Sequence, residues 1–124
     1  MRPVFRAIDH VQLAMPSGGE TAATAFYAGI LGLSRVQKPA VLMNQSGCWF
    51  TNGIVALHLG VDPDFIPAQK AHPALVVEDF DGFLTEMDRN GVSVTYAESL
   101  NGARRLHLSD PFGNRIEVVE ALER

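Results

Sequence analysis

The sequence predicts an α+β fold made from one β-α-β-β-β unit used twice. Two observations predict it. The order of strand and helix patterns repeats across a proline- and aspartate-rich break, and three of the four histidines recur at related positions of the two halves. The 124 residues are read as a single domain, with module 1 at about 5–60, a linker at about 61–70 and module 2 at about 71–121. A chain of this size that is 47% apolar can bury a sizeable core without disulfides.

The elements follow from periodicity. Ile8–Met15 alternates, with Val11, Leu13 and Met15 on one face and His10, Gln12 and Ala14 on the other, as in a strand. Pro16-Ser17-Gly18-Gly19 breaks it. Glu20–Leu31 reads as a helix, because Ala23, Phe26, Tyr27 and Ile30 form one apolar stripe, and Gly32 supplies the stop. Strands are expected near Pro39–Asn44, Cys48–Thr51 and Ile54–Leu59, with turns at Gln45-Ser46-Gly47 and Asn52-Gly53. After the linker, Pro73–Val77 is a strand. Asp79 caps a helix running to about Asn90, striped by Phe80, Phe83, Leu84 and Met87 and closed by Gly91. Strands then fit Ser93–Ala97, Arg104–Ser109 and Asn114–Glu120.

Charge and composition narrow the function. A formal net charge of −4 argues against nucleic acid or an anionic membrane as partner. The first residues lack the apolar core of a signal peptide, and no apolar run approaches ~18 residues. Cys48 is the single cysteine and has no internal partner, so the expected setting is cytoplasmic.

His10 and His72 fall on the first strands of the two units, and His58 and Glu117 on the last. In each strand the apolar residues cover the helix-facing side, so all four side chains point the opposite way. A strand histidine alone is more often a packed or solvated residue. The joint pattern is what points to a divalent transition metal, which imidazole and carboxylate donors suit. Glu117 doubles as the candidate catalytic base. Candidate pocket residues are Gln12, which shares the face of His10, and Arg105 and His107, which alternate against Leu106 and Leu108. Arg105 could clamp a substrate carboxylate or phosphate, and His107 could shuttle a proton or support the ligands. Trp49 and Phe50 adjoin on a strand, so one lines the pocket and the other the core.

The segments IDHVQLAM, AFYAGILGL, VALHLG, KAHPALVV and DPFGNRIEVVE resemble the vicinal oxygen chelate superfamily, which includes glyoxalase I, bleomycin-resistance proteins and extradiol dioxygenases. The resemblance implies paired βαβββ modules whose strands curl into a curved mixed half-barrel sheet with helices outside. It implies that His10, His58, His72 and Glu117 hold one divalent ion: zinc, nickel, manganese or iron. It also implies a small-molecule substrate and a homodimer, in some members with the site shared between chains. The glyoxalase I pattern has a carboxylate where this chain has His58, methylmalonyl-CoA epimerase has a glutamine there, and extradiol dioxygenases use two histidines and one glutamate. Three histidines and one glutamate match none of these. The expected function is a metal-dependent enzyme on a small substrate that chelates the metal through neighbouring oxygens, a glyoxalase-like lyase or isomerase or a dioxygenase. The competing reading is a non-catalytic, antibiotic-binding protein of the bleomycin-resistance type.

Overall fold

The computed structural model describes residues 1–122. Module 1 comprises β1 (Val11–Met15), α1 (Glu20–Tyr27), β2 (Ser34–Val36), β3 (Cys48–Thr51) and β4 (Ala56–Val61). Module 2 comprises β5 (Ala74–Val77), α2 (Phe80–Arg89), β6 (Thr95–Leu100), β7 (Ala103–Ser109) and β8 (Arg115–Glu120). Each module forms an open four-stranded sheet, in the orders β1-β4-β3-β2 and β5-β8-β7-β6. The first strand pairs parallel with the last, and the other pairs are antiparallel. A parallel pair needs a long crossover, and the helix begins it. This is the two-module α+β architecture that the repeat predicts.

Pro39–Asn44 is not a strand. Pro39 has no N–H to give a ladder, and Leu42 N–H bonds back to its carbonyl at 2.8 Å, closing a 3₁₀ turn over Ala40–Leu42. The second strand is Ser34–Val36 instead, an exposed edge paired with β3 through Val36 and Trp49. β4 starts later than the alternation suggests, because the Asn52 carboxamide accepts the N–H groups of Ile54 and Val55 at 2.9 and 2.8 Å and keeps them in the turn. α1 ends at Tyr27. The chain then loosens toward Gly32, whose φ of +78° is left-handed backbone that glycine adopts without strain. α2 is capped as expected, with the Asp79 carboxylate accepting Gly82 N–H at 2.9 Å.

One apolar cluster spans both modules. Cys48, Phe50, Leu57 and Leu59 of module 1 join Leu106, Leu108, Ile116 and Val118 of module 2, with Phe26 and Tyr27 of α1 and Phe80 and Met87 of α2. Two polar ties cross between modules inside this region. Tyr27 donates its hydroxyl to Asp110 Oδ2 at 2.7 Å, and Asn114 Nδ2 donates to the Ala14 carbonyl at 2.7 Å. Asp110 is buried and also accepts from Phe112 N, Asn114 N and Asn114 Nδ2, so its carboxylate is fully partnered. Burial first, then the Asp110 charge, holds the Tyr27 hydroxyl protonated far above its usual range. With one face of each sheet committed to the core, the candidate ligands lie on the other.

Candidate metal centre

In module 2, β8 lies between β5 and β7. Glu117 stands opposite Ala74 on one side and His107 on the other. Ile116 and Val118 enter the core, so Glu117 faces the open side. His72, just before β5, places Nε2 at 2.9 Å from Glu117 Oε1, and its Nδ1 lies 2.6 Å from the Lys70 carbonyl. That carbonyl can only accept, so Nδ1 carries a proton. In the neutral ring Nε2 is then a lone pair facing a carboxylate oxygen, and a proton or a cation must sit between them.

His107 Nε2 lies 3.4 Å from the same Oε1, and its ring meets that of His72 edge to face at 5.2 Å. One donor atom from each of His72, His107 and Glu117 falls within 4.8 Å of the others. Arg105 completes the cluster. Its Nη1 lies 3.3 Å from Glu117 Oε2, and its Nε donates to the Glu98 carbonyl at 2.7 Å. The hydrogen bond from His72 and then that of Arg105 hold the Glu117 carboxyl below its usual range, against the opposing effect of burial. Burial and the charge of Arg115 push the His107 imidazole down, against the pull of Glu117. An ionised carboxylate and neutral imidazoles are the states in which these groups bind metal. Two imidazoles and a carboxylate fit zinc, nickel, manganese or iron by donor type.

Module 1 presents a different face. His58 on β4 stands opposite Trp49 of β3, and its ring is sandwiched between two others. The His10 ring stacks at 4.0 Å and 16°, and the Trp49 ring at 4.0 Å and 4°. His10 Nδ1 lies 2.8 Å from Asp9 Oδ2, which leaves its Nε2 free when the ring is neutral. Burial, then the neighbouring His10, lowers the pKa of His58. Near-parallel rings 4.0 Å apart cannot both aim a lone pair at one ion with bonds of about 2 Å, so in this arrangement the face offers one imidazole donor at a time.

The structure therefore brings His72 and Glu117 together and stacks His10 on His58, but the two pairs do not meet within the chain. Among the described residues, the group that converges on one point is His72, His107 and Glu117. Trp49 lines a cavity of about 720 Å³ with His10, His58, Gln12 and Lys38. Phe50 points the other way, fully buried and stacked on Tyr27 at 5.4 Å, so it belongs to the core and not to the pocket. Gln12 lies across Gly60, where a Cβ would approach its Nε2 to 2.5 Å, so glycine leaves room for the amide. A groove of about 770 Å³ runs between the modules and reaches both His10 and His72. The sequence marks His107 as a pocket candidate but not as the cross-strand partner of Glu117. The available signal was the tight turn at Asp110–Asn114, which sets the β7–β8 register and puts His107 opposite Glu117.

A duplicated βαβββ sheet with its polar donors on the face away from the helices defines a class of proteins that bind small molecules. The chain belongs to the Glyoxalase/Bleomycin resistance protein/Dioxygenase superfamily, whose family model matches residues 7–118. It is 42% identical to a crystal structure from Bacillus anthracis described as a member of the glyoxalase family, with a TM-score of 0.93 over 98% of this chain and 100% of that one. A glyoxalase/dioxygenase from Nostoc punctiforme shares the fold at 23% identity and a TM-score of 0.78, covering 99% of each chain. The fosfomycin resistance protein FosX from Listeria monocytogenes shares it at 13% identity and 0.74, covering 96% of each. No curated protein matches the chain. No helix among the described residues is long and apolar enough to cross a membrane.

Proposed function

We propose that the protein is a metal-dependent enzyme whose small substrate chelates the ion through two neighbouring oxygens, in a glyoxalase-like lyase or isomerase reaction or a dioxygenation. The observation that carries this reading is the approach of His72 Nε2 to Glu117 Oε1 at 2.9 Å while Nδ1 is engaged by Lys70, a pairing that requires a cation or proton between two acceptors. A divalent zinc, nickel, manganese or iron ion held there would polarise a chelated oxygen as a Lewis acid.

The chain's own groups have separate tasks. Arg105 is anchored by Glu98 and Glu117, and its remaining N–H donors can hold an anionic substrate oxygen. Glu117 is the candidate base. Its carboxyl is held ionised by His72 and Arg105 and so is able to accept a proton, while a bound ion would supply the acidity of the substrate.

His10, backed by His58, belongs to the same centre through a second copy of the chain. The two modules share one core, and their donor faces do not meet within the chain. Ile8 and Ile54 line the same groove as His10 and are 81% and 92% exposed, and apolar surface of this kind is usually covered. A homodimer that covers it would set His10 of one copy toward His72 and Glu117 of the other.

One observation favours a second reading. The ring stack of His10, His58 and Trp49 lines a cavity suited to a planar ligand, as in a non-catalytic binding protein. TnmS3 from a Streptomyces species, described as an antibiotic binding protein, shares the fold at 24% identity with a TM-score of 0.68, covering 95% of this chain and 100% of that one. Elemental analysis beside native mass measurement decides between them. The expected result is about one metal per chain in a dimer. Failure to take up zinc, nickel, manganese or iron would overturn the enzyme reading in favour of the binding one.

A further inference from the structure

We infer that His107 is itself a metal ligand, so that module 2 of each chain carries a complete two-histidine, one-carboxylate set before a second copy adds His10. The inference rests on the metal-centre reading above and adds a donor to it.

Three features of the geometry support it. Donors bound cis on one ion at about 2.1 Å lie about 3.0–3.4 Å apart, depending on octahedral or tetrahedral angles. The separations from Glu117 Oε1 are 2.9 Å to His72 Nε2 and 3.4 Å to His107 Nε2. Backbone register fixes the arrangement, since His107 and Glu117 are directly paired across β7 and β8, and His72 precedes β5 on the other side of β8. Directly opposite residues such as His107 and Glu117 keep their Cβ atoms about 5 Å apart, and one donor atom from each of the three residues lies within 4.8 Å of the other two.

The surrounding contacts leave those donor atoms available. The Lys70 carbonyl accepts a hydrogen bond from His72 Nδ1–H, and Arg105 Nη1 donates to Glu117 Oε2, which turns Oε1 toward both imidazoles. His107 Nε2 has no other hydrogen-bond partner among the described residues than Glu117. The two rings meet at 85°, so their nitrogens approach from different directions, as two ligands of one ion must. His10 and His58 lie nearly parallel, which suits packing rather than joint chelation. Three donors on one side of an octahedral ion leave three sites, one for His10 of a second copy and two for a substrate's neighbouring oxygens.

The test is long-range ¹H–¹⁵N NMR of the histidine side chains in the wild-type protein, with and without added zinc. The chain has four histidines, so the spectrum is assigned from His10→Gln, His58→Gln and His107→Gln, or by elimination if one variant does not fold. The expected result is that Nε2 of both His72 and His107 moves to the metal-bound position on adding zinc, and that both still do so in His10→Gln. A chelator competition should show at least a 100-fold weaker zinc affinity for His107→Gln. If His72 moves and His107 keeps its metal-free spectrum, the inference is overturned while the metal centre stands. If neither moves, the metal reading falls and takes this inference with it.

Discussion

The two modules share a strand order and a pairing pattern, yet their donor faces differ in kind. In module 1 the cross-strand pair of β3 and β4 is Trp49 and His58, two rings stacked flat. In module 2 the equivalent pair of β7 and β8 is His107 and Glu117, a nitrogen meeting a carboxylate. One scaffold position thus holds a ring stack in the first half and a nitrogen–carboxylate contact in the second. The comparison teaches that a repeat-related position inherits a location but not its contacts. The contacts come from the residue that the register sets beside it.

The modules are joined through Asp110, and breaking that tie should have the largest effect. Asp110→Ala strands the Tyr27 hydroxyl and the Asn114 backbone N–H in a buried setting, at about 3 kcal/mol. Urea unfolding should show a lower midpoint, and loss of a single transition would mean the modules then unfold separately. An unchanged midpoint would show that the buried network contributes nothing net.

Next comes the asymmetry of the donor faces. Glu117→Gln should weaken metal affinity by about 100-fold or more, whereas His58→Gln should change it by less than about 10-fold. Isothermal titration with zinc reads both. Equal losses would restore the symmetric four-ligand picture.

Trp49→Ala removes the outer ring of the module 1 stack and should lower stability by about 2 kcal/mol, with metal content unchanged. Thermal unfolding beside elemental analysis separates the two effects. Metal loss in this variant would tie the stack to the centre. The smallest effect is expected at the helix starts. α2 has the Asp79 cap and α1 has no side-chain cap, so Asp79→Ala should cost about 1 kcal/mol and make the two modules more alike. A change below about 0.3 kcal/mol in urea unfolding would mean that packing alone sets that helix start.

Much of the fold was legible because alternation and helical stripes mark buried faces directly. Phe80, Met87 and Tyr27 fall where the 3.6-residue period puts them. The second strand is not legible, because Ser34–Val36 is exposed throughout and owes its existence to pairing with β3, not to a pattern of its own. The facing of His10, His58, His72 and Glu117 away from the core followed from strand parity. Their failure to converge within one chain did not, because the relative placement of two modules is a tertiary property. The placing of His107 beside Glu117 is not legible either, because a one-residue slip of β7 against β8 would turn it away.

Trp49 is the one tryptophan in the chain, and it lies flat against the His58 imidazole on the module 1 face, away from Glu117. The protein therefore carries its own optical reporter, placed in the wrong half to sense an ion bound by module 2 of the same chain. A change in indole emission on metal uptake would signal the arrival of the other half from a second molecule. Silence would mean that the ion is held without it.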